Sequence, residues 1–232
     1  LSNFLGIEAG QSAVGDIFSS YIKNNVGEKY GKNFEEKFSN LESCASKIKP
    51  GEHGLLSLDW HNGNRTILVD TVLSGLLVGQ NLQTKQHEIF KALIEATAFG
   101  SLMIIDQIEK YGVSIKEIIA IGGLSQSQTI MQIYADITGR KIKVLKSDQV
   151  CAVGSAILAA CNNKEGYLKL KTTQNKMSVK VKKIYHPNMQ NNKIYKRIYK
   201  LYSNLHDVFG KANNKKSLHH IMKELILIRN LY

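Results

Sequence analysis

Proline, tryptophan and cysteine are scarce, at two, one and three in 232 residues. Cys44, Cys151 and Cys161 are odd in number and show no CxxC spacing, which argues against a disulfide framework or a structural zinc site. They read as packed core thiols in a reducing cytoplasm. No run is apolar over the roughly 20 residues that a membrane span needs. Leu1 to Gly10 carry neither a basic leader nor a cleavable apolar stretch, so no secretory signal is visible, and the missing initial Met suggests an upstream part. Neither a Walker P-loop nor a GxGxxG fingerprint occurs. The histidines are scattered, and His219-His220 have no acidic third ligand nearby, so no metal site is expected in this chain.

Acidic residues run short in one region only. Residues 1–163 hold 15 Lys+Arg and 16 Asp+Glu, whereas residues 164–232 hold 16 and 3, so the formal charge of +12 belongs to the tail. Only Arg65, Arg140, Arg197 and Arg229 are arginines. Specific base readout favours the bidentate Arg fork. The tail therefore reads as a solvated Lys-rich surface, with no nucleic acid and no membrane as partner.

What is present has a clear texture. Ala9 to Asn24 and Phe34 to Lys49 are spaced as amphipathic helices. Leu55 to Leu58 and Gly75 to Gly79 read as short strands around an Asn62-Gly63 turn. His87 to Tyr111 keeps a helical period, with Gly112 as its stop. Then strand (Glu117 to Ile121), helix (Thr129 to Thr138), strand (Lys141 to Leu145) and helix (Cys151 to Cys161) alternate, which predicts an α/β layer with a partly parallel sheet. A strand over Ser178 to Tyr185 and helices over Ile194 to Phe209 and Ser217 to Asn230 complete the tail.

The strand Ile118-Ile119-Ala120-Ile121 ends in Gly122-Gly123 before a helix. Two glycines there let backbone approach a bulky ligand, and the helix beyond offers free N–H groups to phosphate. Taken alone, the pair is better explained as a plain tight turn. The wider pattern is more specific. Gly122-Gly123, Met131 to Gly139 and Ala152-Val153-Gly154-Ser155-Ala156-Ile157 resemble the C-terminal domain of the FGGY carbohydrate kinases. Glu8-Ala9-Gly10-Gln11-Ser12-Ala13-Val14-Gly15-Asp16, the Asp59 to Arg65 loop, Leu93 to Gly100 and Leu205 to Gly210 are similar to the ribulokinase branch of that family.

The resemblance implies an actin/hexokinase-like (ribonuclease H-like) α/β domain over 1–163 and a basic, mostly helical appendage over 164–232 that packs on it. It implies ATP held between two such domains, with Mg²⁺ on the phosphates, and phosphorylation of ribulose to ribulose 5-phosphate in arabinose catabolism. Gly122 and Gly123 would line the nucleotide, and Ser127 stands where relatives often carry an asparagine that touches adenine. Gly15 and Ser19 would approach the nucleotide from the other side, and Glu8 would bond the sugar hydroxyls. The family's catalytic aspartate sits in an Asp-Ala-His segment. None occurs here, so no catalytic residue is expected in this chain, and an N-terminal FGGY domain is the expected partner. The residues leave alternatives open: Gly15 as a helix contact, Glu8 as a surface carboxylate, another substrate such as xylulose or ribitol, a homodimer, and a non-catalytic binding module. Asp59, Trp60, Asn62 and Arg65 read as a structural turn, and Asp136 and Glu95 as helix-surface or pairing carboxylates.

Overall fold

The computed structural model describes residues 6–147, 149–161, 167–211, 224–225 and 227–231, without the side chains of 167–169. Helix α1 (Gly15–Asn25) buries Ile17, Phe18 and Ile22, and α2 (Phe34–Ser46) starts at Asn33, whose side chain accepts the Glu36 N–H. The expected start of α1 at Ala9 is too early. Residues 9–14 stay out of the helix because their polar groups are used elsewhere. Gly10 N–H donates to Thr66 Oγ1 at 2.8 Å, and Gln11 Nε2 donates to the Thr97 carbonyl at 2.9 Å. Tertiary hydrogen bonds outweigh the local helical period.

Strands β1 (Leu56–Leu58) and β2 (Leu76–Val78) pair antiparallel. Helix α3 (Gln86–Lys110) runs through the centre and buries Phe90, Ile94, Ala98 and Phe99. It ends where expected, because Gly112 adopts φ 86° and its N–H caps Glu109 O at 2.9 Å. Next, β3 (Glu117–Ala120), α4 (Gln128–Thr138) and β4 (Lys141–Leu145) form a parallel crossover, as the alternating pattern predicts.

Helices α5 (Val150–Ala160) and α6 (Tyr167–Met177) follow; the latter has no counterpart in the sequence reading. Strand β5 (Val181–Tyr185) then joins β4 antiparallel, and α7 (Met189–Gly210) starts five residues before the expected Ile194. Asn188 supplies that earlier start by capping the N–H groups of Gln190 and Asn191. Most of the helix expected over Ser217 to Asn230 lies outside the described residues; 227–229 are helical. The cysteines are unpaired, and Cys151 is exposed rather than packed. No helix among the described residues is long and apolar enough to cross a membrane.

The core is one cluster shared by both ends of the chain. Phe18 and Phe38 each meet Phe90 edge-on at 5.7 Å, while Tyr195, Tyr199 and Tyr202 of α7 gather around Phe99. Beside them Glu95 is buried with three partners. His53 Nε2 lies at 3.1 Å, Tyr195 Oη donates at 2.8 Å and Lys91 Nζ stands 3.9 Å away. Glu95 and Asp136 are thus pairing carboxylates inside the molecule; Asp136 accepts the Asn188 N–H at 2.8 Å.

Burial by itself raises the Glu95 carboxyl, but His53, Lys91 and the Tyr195 hydroxyl outweigh it and hold the group below its usual 4.5. A depressed folded value means that the unfolded chain takes up the proton first. The stabilisation is therefore present above about pH 4.5 and is lost as pH falls through the folded value. Glu95→Gln should flatten that acid limb in urea titrations repeated across pH. Glu95→Ala should cost about 3–5 kcal/mol, because Lys91 is left buried without its counter-charge. An unchanged acid limb in Glu95→Gln would refute the assignment.

Candidate functional site

The parallel strand β3 delivers the chain to Gly122, which takes φ 88°, a conformation that side chains rarely adopt. A single 3₁₀ turn over Gly123–Gln126 follows, and Ser127 caps α4. A Cβ added at Gly122 or at Gly123 meets nothing within 4 Å, so both backbones face open space. Opposite stands α1, where a Cβ added at Gly15 would come within 3.9 Å of Leu124 Cδ1. Gly15, Ser19, Gly123, Leu124, Phe34 and Phe38 line one open cleft of about 610 Å³.

Three of the six expected site residues thus share a cleft, Gly15, Ser19 and Gly123, and Gly122 adjoins it. Two stand apart. Ser127 is buried; its hydroxyl donates to Glu42 Oε1 at 2.6 Å and accepts the Ile130 N–H at 3.0 Å. That hydroxyl is occupied in capping α4, and Ser127 does not line the cleft. Glu8 is exposed and meets Arg65 Nη2 at 3.1 Å. Phe34 and Phe38, four apart on α2, were missed; their i,i+4 spacing was the available signal. No cluster of His, Cys, Asp or Glu among the described residues could hold a metal ion.

Arg65 belongs to a loop whose base is Asp59. The carboxylate accepts Tyr202 Oη at 2.6 Å and Gln11 Nε2 at 2.5 Å. Burial pushes its pKa up, although both hydrogen bonds oppose that. Asp59 and Trp60 are therefore interior residues rather than a turn at the domain edge. Above them Gly63 closes a turn to Trp60 O at 3.0 Å with φ 78°, and the Asn64 side chain accepts the N–H groups of Ile67 and Leu68. The loop thereby carries Arg65 outward to Glu8.

The fold is that of the ribonuclease H-like α/β domains. Xylulose kinase from Rhodospirillum rubrum superposes with a TM-score of 0.71 at 22% identity, covering 85% of this chain and 38% of that one. Plasmodium falciparum glycerol kinase with ADP gives 0.65 at 20%, covering 83% and 36%. Residues 1–162 match the FGGY family of carbohydrate kinases, C-terminal domain, and the chain belongs to that family. It is 44% identical to the ribulokinase of Halalkalibacterium halodurans over 100% of this chain and 42% of the relative. It is also 44% identical to that of Geobacillus thermodenitrificans over 92% and 39%. The chain thus spans about 40% of the length of these curated relatives.

The two glycines differ in what they tolerate. At Gly122, with φ 88° and ψ −179°, any side chain must enter a region essentially reserved for glycine, which costs on the order of 1–3 kcal/mol. Gly123 has no positive φ and free space around it. Gly122→Ala should lower stability by about 1 kcal/mol in urea unfolding, and Gly123→Ala should stay within about 0.5 kcal/mol of the parent. Equal losses would contradict this geometry.

Proposed function

We propose that this chain forms the nucleotide-holding wall of an ATP-dependent sugar kinase and that the sugar is ribulose. The observation that carries the reading is the cleft in which Gly15 and Ser19 of α1 face Gly123, with nothing above the Gly122-Gly123 backbone. The 44% identity with a ribulokinase over the whole of this chain supports the choice of sugar. Residues 164–232 act as an appendage of the 1–163 domain rather than as a separate unit.

In this reading Gly122 and Gly123 lie against the nucleotide, Gly15 and Ser19 close on it from α1, and Phe34 and Phe38 offer apolar surface to the base. Glu8 accepts hydrogen bonds from the sugar hydroxyls, with Arg65 holding the carboxylate. In the reaction a sugar hydroxyl oxygen attacks the γ-phosphorus, the bond to ADP breaks, and the hydroxyl proton passes to a carboxylate outside this chain. Mg²⁺, bound with the nucleotide, would supply charge neutralisation on the phosphates. Phosphoryl transfer depends on positioning and charge stabilisation, and this chain supplies part of the positioning.

Gly123→Val is the clean probe, because the fold has room for the side chain and the nucleotide does not. Calorimetric titration should show ATP binding by the parent and none by the variant, with unfolding still cooperative. Equal affinity would remove the nucleotide assignment.

Catalysis is tested by joining the chain to the N-terminal part of the Halalkalibacterium halodurans ribulokinase and following ribulose-dependent ADP release with Mg²⁺. Activity should appear in the joined protein and not in the isolated chain. In the joined protein Glu8→Ala should raise the KM for ribulose at least about tenfold, since hydrogen bonds to a charged group contribute roughly 1.5–3 kcal/mol. The KM for ATP should stay unchanged. Ribulose-dependent turnover by the isolated chain would overturn the reading, and parallel effects on both KM values would make Glu8 structural.

A further inference from the structure

Behind the Arg65 loop lies a small cavity between the loop and α7, lined by Asp59, Trp60, Tyr202 and His206 among others. Two of these residues carry a fully buried polar atom without a partner among the described residues, Trp60 Nε1 and His206 Nε2. Trp60 is 1% exposed and His206 2%, and their rings meet edge-on with centroids 5.2 Å apart. An unpaired buried polar group costs about 1–3 kcal/mol, so two side by side need an explanation. The cavity offers about 20 Å³, and about 10–15 Å³ suffices for one water.

We propose that this cavity holds one internal water shared by Trp60 and His206, and that His206 acts through it as a positioning residue for the loop that carries Arg65. The hydrogen-bond chemistry closes. His206 Nδ1 lies 3.3 Å from Asp207 Oδ1 and donates to it, which leaves Nε2 as an acceptor. Burial keeps the ring in its neutral form by lowering its pKa, against the Asp207 carboxylate, which raises it. Trp60 can only donate. One water accepts from the indole N–H and donates to the imidazole, and its second proton is free for Asp59, which lines the same cavity. The water thus matches a donor on the loop to an acceptor on α7 that cannot bond each other in this geometry. Together with the Tyr202–Asp59 bond it ties the tail helix to the base of the loop. The consequence for sugar binding rests on the assignment of Glu8; the water and the loop do not.

The single tryptophan makes the test direct, because the chain has one indole N–H resonance. In ¹⁵N-labelled protein that proton should show a cross-peak to a long-lived water. In His206→Phe the cross-peak should vanish. Hydrogen exchange at the loop amides of Leu68 and Asp70 should then quicken about tenfold while the α3 amides stay unchanged. His206→Gln, which restores an acceptor, should recover both readouts. Trp60→Phe, which removes the donor together with part of the buried ring, should quicken the same loop amides and serves if His206→Phe fails to fold. An indole proton without a water cross-peak in the parent means a dry N–H contact with the imidazole face and overturns the proposal. A water present while loop exchange ignores both variants overturns the positioning role.

Discussion

The Asp59 carboxylate joins three stretches that are far apart in the chain. It takes hydrogen bonds from Gln11, just before the first helix, and from Tyr202, on the long tail helix, while Asp59 itself begins the loop that reaches Glu8. A carboxylate buried to this degree is costly unless its oxygens are bonded, and here each one is. Because both donors come from distant segments, residues 10–12, the loop and α7 must be placed together or the charge is left uncompensated. The course of the chain before α1 and the outward aim of Arg65 both follow from that single requirement.

Glu95, on α3, repeats the arrangement elsewhere in the same fold. Its partners come from the stretch before β1, from its own helix and from α7. The tail is thus held to the rest by two buried carboxylates, each meeting a tyrosine of α7, with the aromatic cluster around Phe99 between them. A Lys-rich exterior and an interior of tyrosines are compatible on one amphipathic helix, since the charged stems lie on the opposite side from the buried rings. The charge excess that draws attention in the sequence belongs to the outer side, and the binding contribution of the tail is on the inner one.

The cleft has a different physical basis. Asp16 and Ser19 are the polar side chains on its lining, and the rest is apolar or glycine. It exists because the Gly122-Gly123 backbone leaves space above itself and α1 stands opposite, where a Cβ at Gly15 would make only an ordinary contact with Leu124. Shape, not a constellation of titratable groups, is what this wall contributes, in keeping with a chain whose described residues offer no metal cluster.

Much of this was legible in the sequence wherever the information is local. The period of α3, its Gly112 stop, the bounds of β4 and the strand–helix alternation follow from neighbouring residues alone. So does the Gly-Gly turn, because two glycines after an apolar strand state a backbone requirement directly. Family resemblance extended that reading to Gly15, Ser19 and Glu8 without saying which of them share a cleft. Tertiary structure decided the rest. The segment 9–14 has a helical period yet stays outside the helix, since Thr66 and Thr97 claim its hydrogen bonds from 56 and 86 residues away. Ser127 looked available to a ligand until Glu42, on another helix, took its hydroxyl. Asp59 and Trp60 read as turn residues because polarity near an Asn-Gly pair signals a surface loop, and only the packing of α7 over them makes them interior. Burial and partnership are properties of pairs of distant segments, and a local pattern carries no information about which distant segment arrives.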